Sequence, residues 1–510
     1  MSSSNGGDPE VIVIGSGPNG LVAACMLARA GLKVLVLEAN PARAGGALGS
    51  EEATLPGFVH DVGAAFFPFP RVSPAFLELG LQRDITLHNM PIESCHPAPD
   101  GSVACISRDL ERSAQTFGDP RDGAAFRALA QWHKRVEEHV LGFLLGPLPT
   151  LWPLMKLLPL DIFRFARIMM SSTGGLSRRL FHGEAARRVF PGLAMHVDLG
   201  PSDPLGASVG YMLGMAAATA GYCIPKGGAQ AITAALVAIL ERHGGALRLG
   251  SRVSRVLVGV GGAEGVLLAD GTSIRATRAV MSDTSAPSLL LDLVERQHIP
   301  GRVLKFMRRF PQGWGTFKLD WALSGPVPWA VPEARESAVV HVGDSIADLQ
   351  RFTDQVRRGE LPDNPYLVIG QQSLADPTRA PAGQHTLWAY SRVPAQPAGG
   401  WLAHAEQFAD RVDARIEAMA PGFRARVLRR RVVTPVDLEA MNANLIGGDL
   451  GGGANSWNRQ LVFRPMFPYF RHRMPVRRLY LCSSYTHPGS GVHGMCGYNA
   501  ARIALRDLGA

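Results

Sequence analysis

The chain has 510 residues, of which 46% are hydrophobic and 19% charged, so it can bury a large core and is not an intrinsically disordered protein. Its 52 lysine and arginine residues and 43 acidic residues give a net charge of +9, a modest excess that does not by itself indicate nucleic-acid binding. The six cysteines form no CxxC pair and are too few for a disulfide scaffold, which predicts a reduced, cytoplasmic protein.

The opening residues, MSSSNGGDPE, lack the apolar core of a targeting signal, and we expect the tail before Pro9 to be disordered. The longest uncharged run, 204–225, is rich in glycine, alanine and serine and poor in large apolar side chains. This composition favours a buried helix packed closely on other helices over a membrane-spanning helix.

The first predicted elements form a compact β-α-β unit. An apolar run at 11–14 predicts a buried parallel strand, and the turn GSGPNG at 15–20 follows it directly. An alanine-rich helix is predicted at 21–30, and a second buried strand at 33–38 ends on an acidic residue. The glycines of the turn are spaced as GxGxxG, which between a strand and a helix predicts a dinucleotide-binding site.

Each glycine of this motif has its own role. Gly15 permits the tight turn, Gly17 lets the backbone approach a pyrophosphate, and Gly20 lets the helix pack closely on the strand. The helix N-terminus offers N–H groups and the positive end of its dipole to the phosphates. Glu38, at the end of the second strand, can accept hydrogen bonds from ribose hydroxyls and would repel a 2′-phosphate.

The remaining predicted elements mix helices and strands without an internal repeat. No second strand–GxGxxG–helix unit follows, which argues against a disulfide-reductase architecture with its own NAD(P)H site. In chain order, the elements are a helix at 231–243, a β-meander at 247–280 with a turn at Asp270-Gly271, strands at 317–321 and 388–390, an amphipathic helix at 406–420, a strand at 479–482, a glycine-rich turn at 487–494 and a helix at 496–508.

Three segments occur in an order and spacing that point to one family. They are VIVIGSGPNGLVAACMLARAGLKVLVLEANPARAGG, YCIPKGGAQAITAAL and LYLCSSYTHPGSGVHGMCGYNAA. They resemble the FAD-dependent phytoene desaturase-like oxidoreductases, within the flavin amine oxidase superfamily. The resemblance implies an α/β fold with a Rossmann-like FAD-binding domain at 1–75, 218–285 and 441–510, interleaved with an α+β substrate or cap domain at 76–217 and 286–440.

The resemblance also implies which residues hold FAD. The glycine turn and the acid would contact the pyrophosphate and ribose, and a second glycine motif would lie beside the pyrophosphate and flavin. Residues near the C-terminus would flank the ribityl phosphate and the isoalloxazine ring, where a helix N-terminus can stabilise charge on reduced flavin. The implied residues are Gly15, Ser16, Gly17, Gly20, Glu38, Ala39, Arg43, Gly45, Gly46, Ala47, Val253 (beside adenine), Ser483, Ser484, Gly491 and Val492.

The chain departs from the family pattern close to the flavin. Ser483 stands where glycine is frequent, and Tyr485 stands where a small residue is frequent. A tyrosine there would crowd the ring or form part of the substrate wall, so the departure concerns the substrate more than the cofactor. The glycine-rich loop at 447–453 has two interpretations, a mobile loop or a segment on the substrate side.

The candidate catalytic residues lie at the flavin turn. A desaturation needs flavin N5 as hydride acceptor and a base or solvent as proton acceptor. His487, His493 and Tyr485 are the titratable side chains best placed for this, with packing or capping as the alternative role of each. Arg459, Arg464 and His472 precede the last strand, where they are candidates to bind a polar end of the substrate. For Arg459 and Arg464 the favoured prediction is a salt bridge at the surface.

Metal and nucleic-acid binding are not expected. The histidines form neither HExxH nor another tight cluster with cysteine or aspartate. The basic run at 424–431 lies on a predicted strand and lacks interleaved aromatic residues, so a solvated face fits it better than a nucleic-acid interface.

The segment at 140–170 combines large apolar residues with prolines that exclude one continuous spanning helix. Short helices in a membrane interface, with Lys156, Arg164 and Arg167 facing headgroups, would make this a peripheral membrane protein. A lid over an internal apolar cavity fits equally well, and both interpretations favour a lipophilic substrate. The apolar residues concerned are Leu151, Trp152, Leu154, Leu157, Leu158, Phe163 and Phe165.

The sequence therefore leaves three hypotheses. The first is an FAD-dependent oxidoreductase that oxidises or desaturates a lipophilic small molecule and passes electrons to oxygen or a quinone. The second is an amine or amino-acid oxidase of the same superfamily. The third is an FAD-containing isomerase without net electron transfer, or a non-catalytic flavoprotein of an assembly.

Overall fold

The computed structural model describes residues 7–510, and residues 1–6, most of the tail expected to be disordered, lie outside the described residues. Its strands, numbered in chain order, are β1 (Val11–Ile14), β2 (Val34–Leu37), β3 (Ser50–Glu52), β4 (Val59–Asp61), β5 (Leu87–His88), β6 (Ile92–Pro97), β7 (Val103–Ile106), β8 (Ile224–Pro225), β9 (Ala246–Arg248), β10 (Val253–Gly259), β11 (Gly262–Leu268), β12 (Ser273–Arg275), β13 (Ala279–Ser282), β14 (Gly315–Leu323), β15 (Ser337–Val342), β16 (Leu367–Gly370), β17 (His385–Val393), β18 (Val427–Val433) and β19 (Leu479–Leu481).

The α-helices surround these strands. In chain order they are α1 (Pro18–Arg29), α2 (Pro74–Leu79), α3 (Leu110–Thr116), α4 (Pro120–Leu145), α5 (Trp152–Met155), α6 (Pro159–Met169), α7 (Thr173–Leu180), α8 (Glu184–Arg187), α9 (Val189–Ala194), α10 (Ala207–Thr219), α11 (Gln230–Arg242), α12 (Ala286–Ser288), α13 (Gly301–Met307), α14 (Pro332–Arg335), α15 (Ile346–Arg357), α16 (Gln372–Ala375), α17 (Trp401–Met419), α18 (Pro435–Met441) and α19 (Met495–Leu508).

A five-stranded parallel sheet has the order β19-β13-β1-β2-β9. Val11 pairs with Val34 on one side and with Ala279 on the other, so β1 lies at the centre. The strands are short apolar runs because helices α1, α11 and α19 cover one face and the β10-β11-β12 meander covers the other. The β-α-β unit and the α/β class are thereby confirmed. The meander predicted at 247–280 is confirmed only for β10 to β12, because β9 and β13, at its two ends, pair in the parallel sheet instead.

A second sheet of seven strands has the order β18-β14-β17-β16-β15-β6-β7. Strands β6 and β15 run parallel, and the other neighbours are antiparallel. Alternation along β17 sends Leu387 and Ala389 towards α17, and sends Trp388 and Tyr390 towards α4, α9 and α10. The side chains of the second group lie in the layer between this sheet and the helices.

The segment at 140–170 is broken into the end of α4, the single turn α5 and the short helix α6. Leu157 and Phe165 are buried in the hydrophobic core, so the expectation that they face lipid is wrong for these two side chains. Leu151, Trp152, Leu158 and Phe163 are each at least 64% exposed. Within residues 7–510, none of the helices combines the length and the apolar character that a bilayer-spanning helix requires.

Candidate functional site

One cavity of about 1110 Å³ extends from the carboxyl ends of β1 and β2 to the layer under β17. The carboxyl edge of a parallel sheet is the usual place for a nucleotide, because the loops there are free to form a site. Most residues predicted from the sequence lie on its wall: Gly15, Ser16, Gly17, Glu38, Ala39, Gly46, Ala47, Val253, Ser483, Ser484, Tyr485, His487, Gly491, Val492 and His493.

Three predicted residues lie behind this wall and shape it. The Gly20 N–H donates to Oδ2 of Asp283 at 2.8 Å. The Gly45 N–H donates to the carbonyl of Ser16 at 3.1 Å, which joins the two glycine motifs. Nη1 of Arg43 donates to the carbonyl of Gly46 at 3.0 Å. These contacts hold the two glycine loops in position, and the three residues do not themselves line the cavity.

Glu38 ties the glycine turn to the second strand. Its Oε2 accepts from the Ser16 N–H at 2.9 Å and from Ser16 Oγ at 2.5 Å. Its Oε1 accepts from the Asn40 N–H at 2.8 Å. The carboxylate is half-buried and still lines the cavity, so it can also accept from a ligand hydroxyl.

Asp283, at the end of β13, is a site residue that the sequence motifs did not reveal. A Cβ on Gly17 would collide with its carboxylate, so this side chain stands at the start of α1. Burial raises the pKa of Asp283 to about 7, and the nearby Glu38 acts in the same direction. A protonated Asp283 removes a negative charge from the place where phosphates are expected.

His487 and His493 face the cavity with unsatisfied ring atoms. Nδ1 of His493 accepts from the Met495 N–H at 3.0 Å, so the neutral ring carries its proton on Nε2. Within residues 7–510, Nε2 of each histidine is buried without a hydrogen-bond partner. Burial lowers the pKa of His487 to about 3 and that of His493 to about 4, so both are uncharged at neutral pH.

Tyr485 forms part of the wall. Its hydroxyl donates to the carbonyl of Asn444 at 3.2 Å, and its ring packs 5.5 Å from that of Phe310. Burial raises the pKa of this phenol far above its usual value. The hydroxyl therefore stays protonated at any physiological pH.

Arg464 is not a surface residue, so that prediction was wrong. It is 2% exposed and donates to the carbonyls of Gly451, Gly452 and Ser484 at 2.6 to 3.1 Å. Asp449 accepts from the N–H groups of Gly451 and Gly453 within the same loop. The 447–453 loop is thus tied down by two buried charges, and its residues 450–452 line the cavity.

A potential ligand cluster lies away from the cavity, at Asp119, Asp122 and His182. Asp119 caps the start of α4. Asp122 accepts from the N–H groups of His182 and Gly183 at 2.7 Å each. Both carboxylates therefore have a structural role, since each accepts hydrogen bonds from backbone N–H groups at the start of a helix.

The wall of the cavity fits a dinucleotide cofactor such as FAD. Glycines line the approach to the α1 N-terminus, where a larger residue at position 17 would collide with Asp283. The Nε2–H of His493 is a buried donor without an acceptor within residues 7–510, which a flavin or phosphate oxygen would satisfy. The cavity is large enough to hold a second, apolar molecule beyond the turn.

Comparison with known proteins gives the family. Residues 19–314 match the family described as flavin containing amine oxidoreductase. The chain is 29% identical to the mouse pyridine nucleotide-disulfide oxidoreductase domain-containing protein 2, over 98% of this chain and 94% of that protein. It is 27% identical to the neurosporene-forming phytoene desaturase of Rhodobacter capsulatus, with the same coverage of 98% and 94%.

A solved structure shows the same fold. Cyclohexylamine oxidase from Brevibacterium oxydans superposes with a TM-score of 0.61 at 18% identity, over 99% of this chain and 100% of that one. The family match covers more than half of the chain, including most of α1, and it agrees with the glycine-lined cavity. The chain belongs to the flavin-containing amine oxidoreductase family, and it is an FAD-dependent oxidoreductase.

Proposed function

We propose that the protein oxidises or desaturates a lipophilic small molecule. In this proposal 1–75, 218–285 and 441–510 form the FAD-binding domain, and 76–217 and 286–440 form the cap over the substrate. Bound FAD would supply the two-electron acceptor, its N5 atom receiving a hydride. The observation that carries the proposal is the continuity of the cavity from the glycine motifs into an apolar chamber.

The wall of this chamber supports a lipophilic substrate. Its side chains come from α4 and α10 on one side and from β15, β16 and β17 on the other, and they remove apolar surface of a ligand from water. The name of the Rhodobacter relative, a phytoene desaturase, agrees with this chemistry. The chamber residues are Phe143, Leu144, Val209, Met212, Leu213, Val339, Val368 and Trp388.

The side chains near the flavin turn would act in their neutral forms. His493 donates from Nε2 and would orient the cofactor through that hydrogen bond. His487 is the candidate proton acceptor, because a neutral imidazole can take a proton without first losing one. Tyr485 would close the wall beside them.

Anaerobic mixing of the holoenzyme with two apolar polyenes in liposomes, phytoene and a polyene that ends in a carboxylate, tests the proposal. Bleaching of the oxidised flavin, followed by recovery on addition of oxygen or a quinone, is the expected result. Bleaching by cyclohexylamine, with none by phytoene or another apolar polyene, would instead make the protein an amine oxidase. Absence of bleaching by either class would favour an isomerase or a non-catalytic flavoprotein.

We further propose that the mouth of the cavity contacts a membrane surface. Met169 and Met170, at the end of α6, line the cavity. The adjoining apolar side chains of α5 and α6 are exposed, and Lys156, Arg164 and Arg167 among them are exposed cations that attract anionic headgroups. A lipophilic substrate could then enter from the bilayer without crossing water.

A further inference from the structure

Arg392 is a buried charge on the cavity wall without an acidic partner. It is 4% exposed and lies in β17. Its Nη1 donates to Oγ1 of Thr316 at 2.6 Å, and its Nη2 donates to the carbonyl of His196. Within residues 7–510, its Nε has no hydrogen-bond partner and no carboxylate forms an ion pair with it. Of the five N–H donors of this guanidinium, only these two have an acceptor within residues 7–510, and the side chain lines the cavity.

Arg379, another buried arginine, differs from Arg392 in having acidic partners. Arg379 is fully buried, and its charge is balanced by ion pairs with Asp61 and Asp376. A guanidinium removed from water without a counter-charge is costly, because neutral carbonyl and hydroxyl oxygens replace only part of its hydration. An anionic group of a ligand in the cavity would complete the environment of Arg392.

Tyr390 stands beside Arg392 and offers a second polar group to the same space. Both lie on the face of β17 that points to the helical layer, and the guanidinium carbon is 5.3 Å from the phenol ring centre. The Tyr390 hydroxyl is 3.0 Å from Nδ1 of His196. Both Tyr390 and His196 line the cavity.

A chain of hydrogen bonds leads from Tyr390 into the protein. Nε2 of His196 is 2.7 Å from Nε2 of His341, and Nδ1 of His341 is 3.0 Å from Oγ of Ser94. That Oγ is 2.9 Å from Nε2 of His96. If Nε2 of His96 donates to Ser94, then Ser94 donates to His341, His341 donates to His196, and His196 donates to the Tyr390 oxygen. In that direction the Tyr390 proton is not used within the chain of hydrogen bonds and points into the cavity. One direction of the chain thus makes Tyr390 a donor to a ligand.

The side chains in this chain of hydrogen bonds carry no charge. Burial lowers the pKa of His96 and of His196 to about 3, and it lowers the pKa of His341 well below its usual value. The three imidazoles are therefore neutral at pH 7. The positive charge of Arg392 stays uncompensated by them, and Tyr390 stays protonated because burial raises its pKa to about 12.

We propose that Arg392 and Tyr390 form a binding subsite for the carboxylate end of a lipophilic ligand. One carboxylate oxygen accepts from the guanidinium of Arg392 and the other from the Tyr390 hydroxyl, while the apolar body lies in the chamber beside Trp388. The subsite rests on the proposed function, since it gives the lipophilic substrate a polar end and fixes which end lies under β17.

Binding of two ligands of equal length tests this subsite. Oxidised holoenzyme is titrated with dodecanoate and with dodecanol, followed by tryptophan fluorescence and flavin absorbance. We expect dodecanoate to bind at least about tenfold more tightly than dodecanol, because a buried charge-assisted pair is stronger than a neutral hydrogen bond. The titration requires no turnover, so a failed desaturase assay and a failed subsite give different results.

Three variants test whether Arg392 and Tyr390 cause the preference for dodecanoate over dodecanol. Arg392→Met should abolish the preference for dodecanoate, and Arg392→Lys should keep part of it because the charge remains. Tyr390→Phe should weaken dodecanoate several-fold, with a smaller effect on dodecanol. The matched control is Arg411→Met, which removes an arginine stacked 5.7 Å from the Phe408 ring outside the cavity, and it should bind both ligands like the wild type.

Several results would overturn the subsite. Equal affinities for the two ligands in the wild type would do so, as would unchanged dodecanoate binding in Arg392→Met. Loss of FAD from folded Arg392→Met would assign this arginine to the cofactor instead. If Arg392→Met does not fold, wild-type preference in both Arg392→Lys and Tyr390→Phe would equally exclude the proposal.

Discussion

Gly17 occupies the narrowest part of the glycine turn, directly before α1. Replacement by valine should abolish FAD binding, because its branched side chain would meet the Asp283 carboxylate and the space of the pyrophosphate. The ratio of flavin to protein absorbance in purified protein measures this loss. Gly301→Val is the matched control, since a Cβ there has no neighbour within 4 Å and flavin content should be unchanged. Full occupancy in folded Gly17→Val would contradict the assignment.

Asp283 should make FAD binding depend on pH. Its pKa of about 7 keeps it largely neutral below that pH, and the negative phosphates of FAD would raise that pKa further. FAD affinity should therefore be constant below about pH 7 and fall as the pH rises above it, because the ionised carboxylate repels the phosphates. Ultrafiltration of the holoenzyme across this range measures the free flavin.

The isosteric variant Asp283→Asn is the control for this titration. It retains an oxygen that accepts from the Gly20 N–H and has no charge to gain. We expect its FAD affinity to stay flat across the same pH range, at or above the wild-type value. A parallel decline in wild type and variant would show that another group is responsible.

Helices α5 and α6 carry the exposed apolar side chains of the proposed membrane contact. Trp152→Glu combined with Leu158→Glu should reduce co-sedimentation with anionic liposomes by at least about tenfold, since burial of each side chain is worth roughly 1.5–3 kcal/mol. The two residues are 64% and 68% exposed, so the core is left intact. The flavin spectrum should not change.

A second double variant distinguishes this contact from non-specific adsorption of exposed apolar side chains to liposomes. Val260→Glu with Leu402→Glu changes two fully exposed apolar residues far from the cavity mouth in sequence, and it should sediment like the wild type. If wild-type protein stays in the supernatant at low salt, the membrane contact is excluded. The segment would then serve as a cover over the chamber.

Local patterns predicted the elements that carry the cofactor. The GxGxxG turn, the strands around it and the final helix follow from short apolar runs and glycine positions. Long-range contacts did not follow, because they depend on how sheets and helices pack. Asp283 meets Gly20 across 263 residues of chain, and Tyr390 meets His196 across 194.

Alternation along 388–390 did predict a strand, and it could have placed Arg392 on the same face as Tyr390. It could not show that no acid would balance that arginine. Arg464 was misjudged for a related reason. Arginine is rarely buried, and the backbone carbonyls that bind it belong to loops whose course the sequence does not reveal.

A buried ion pair joins the end of β4 to the segment just before β17. Arg379 binds Asp61, which also accepts from the Ala229 N–H and from Ser50. Arg379→Met should lower the free energy of unfolding by about 3–5 kcal/mol, because it leaves the Asp61 charge buried and unpaired. This loss of stability is measured by unfolding the holoenzyme in guanidinium chloride. Tryptophan fluorescence and flavin fluorescence are both recorded.

The exposed pair of Arg112 and Glu336 provides the comparison. Arg112→Met should cost less than about 1 kcal/mol, since both partners are hydrated. Similar effects of the two methionine variants would show that the buried pair does not hold β4 and the segment before β17 together.

Both large sheets join strands from distant parts of the chain. Strand β6, near the N-terminus, pairs with β15, and β19, near the C-terminus, completes the parallel sheet beside β13. A chain still emerging from the ribosome therefore lacks a partner for the edge of β13 until residue 479 and beyond have been made. A product truncated before β19 would present an open strand edge to chaperones and to other copies of itself.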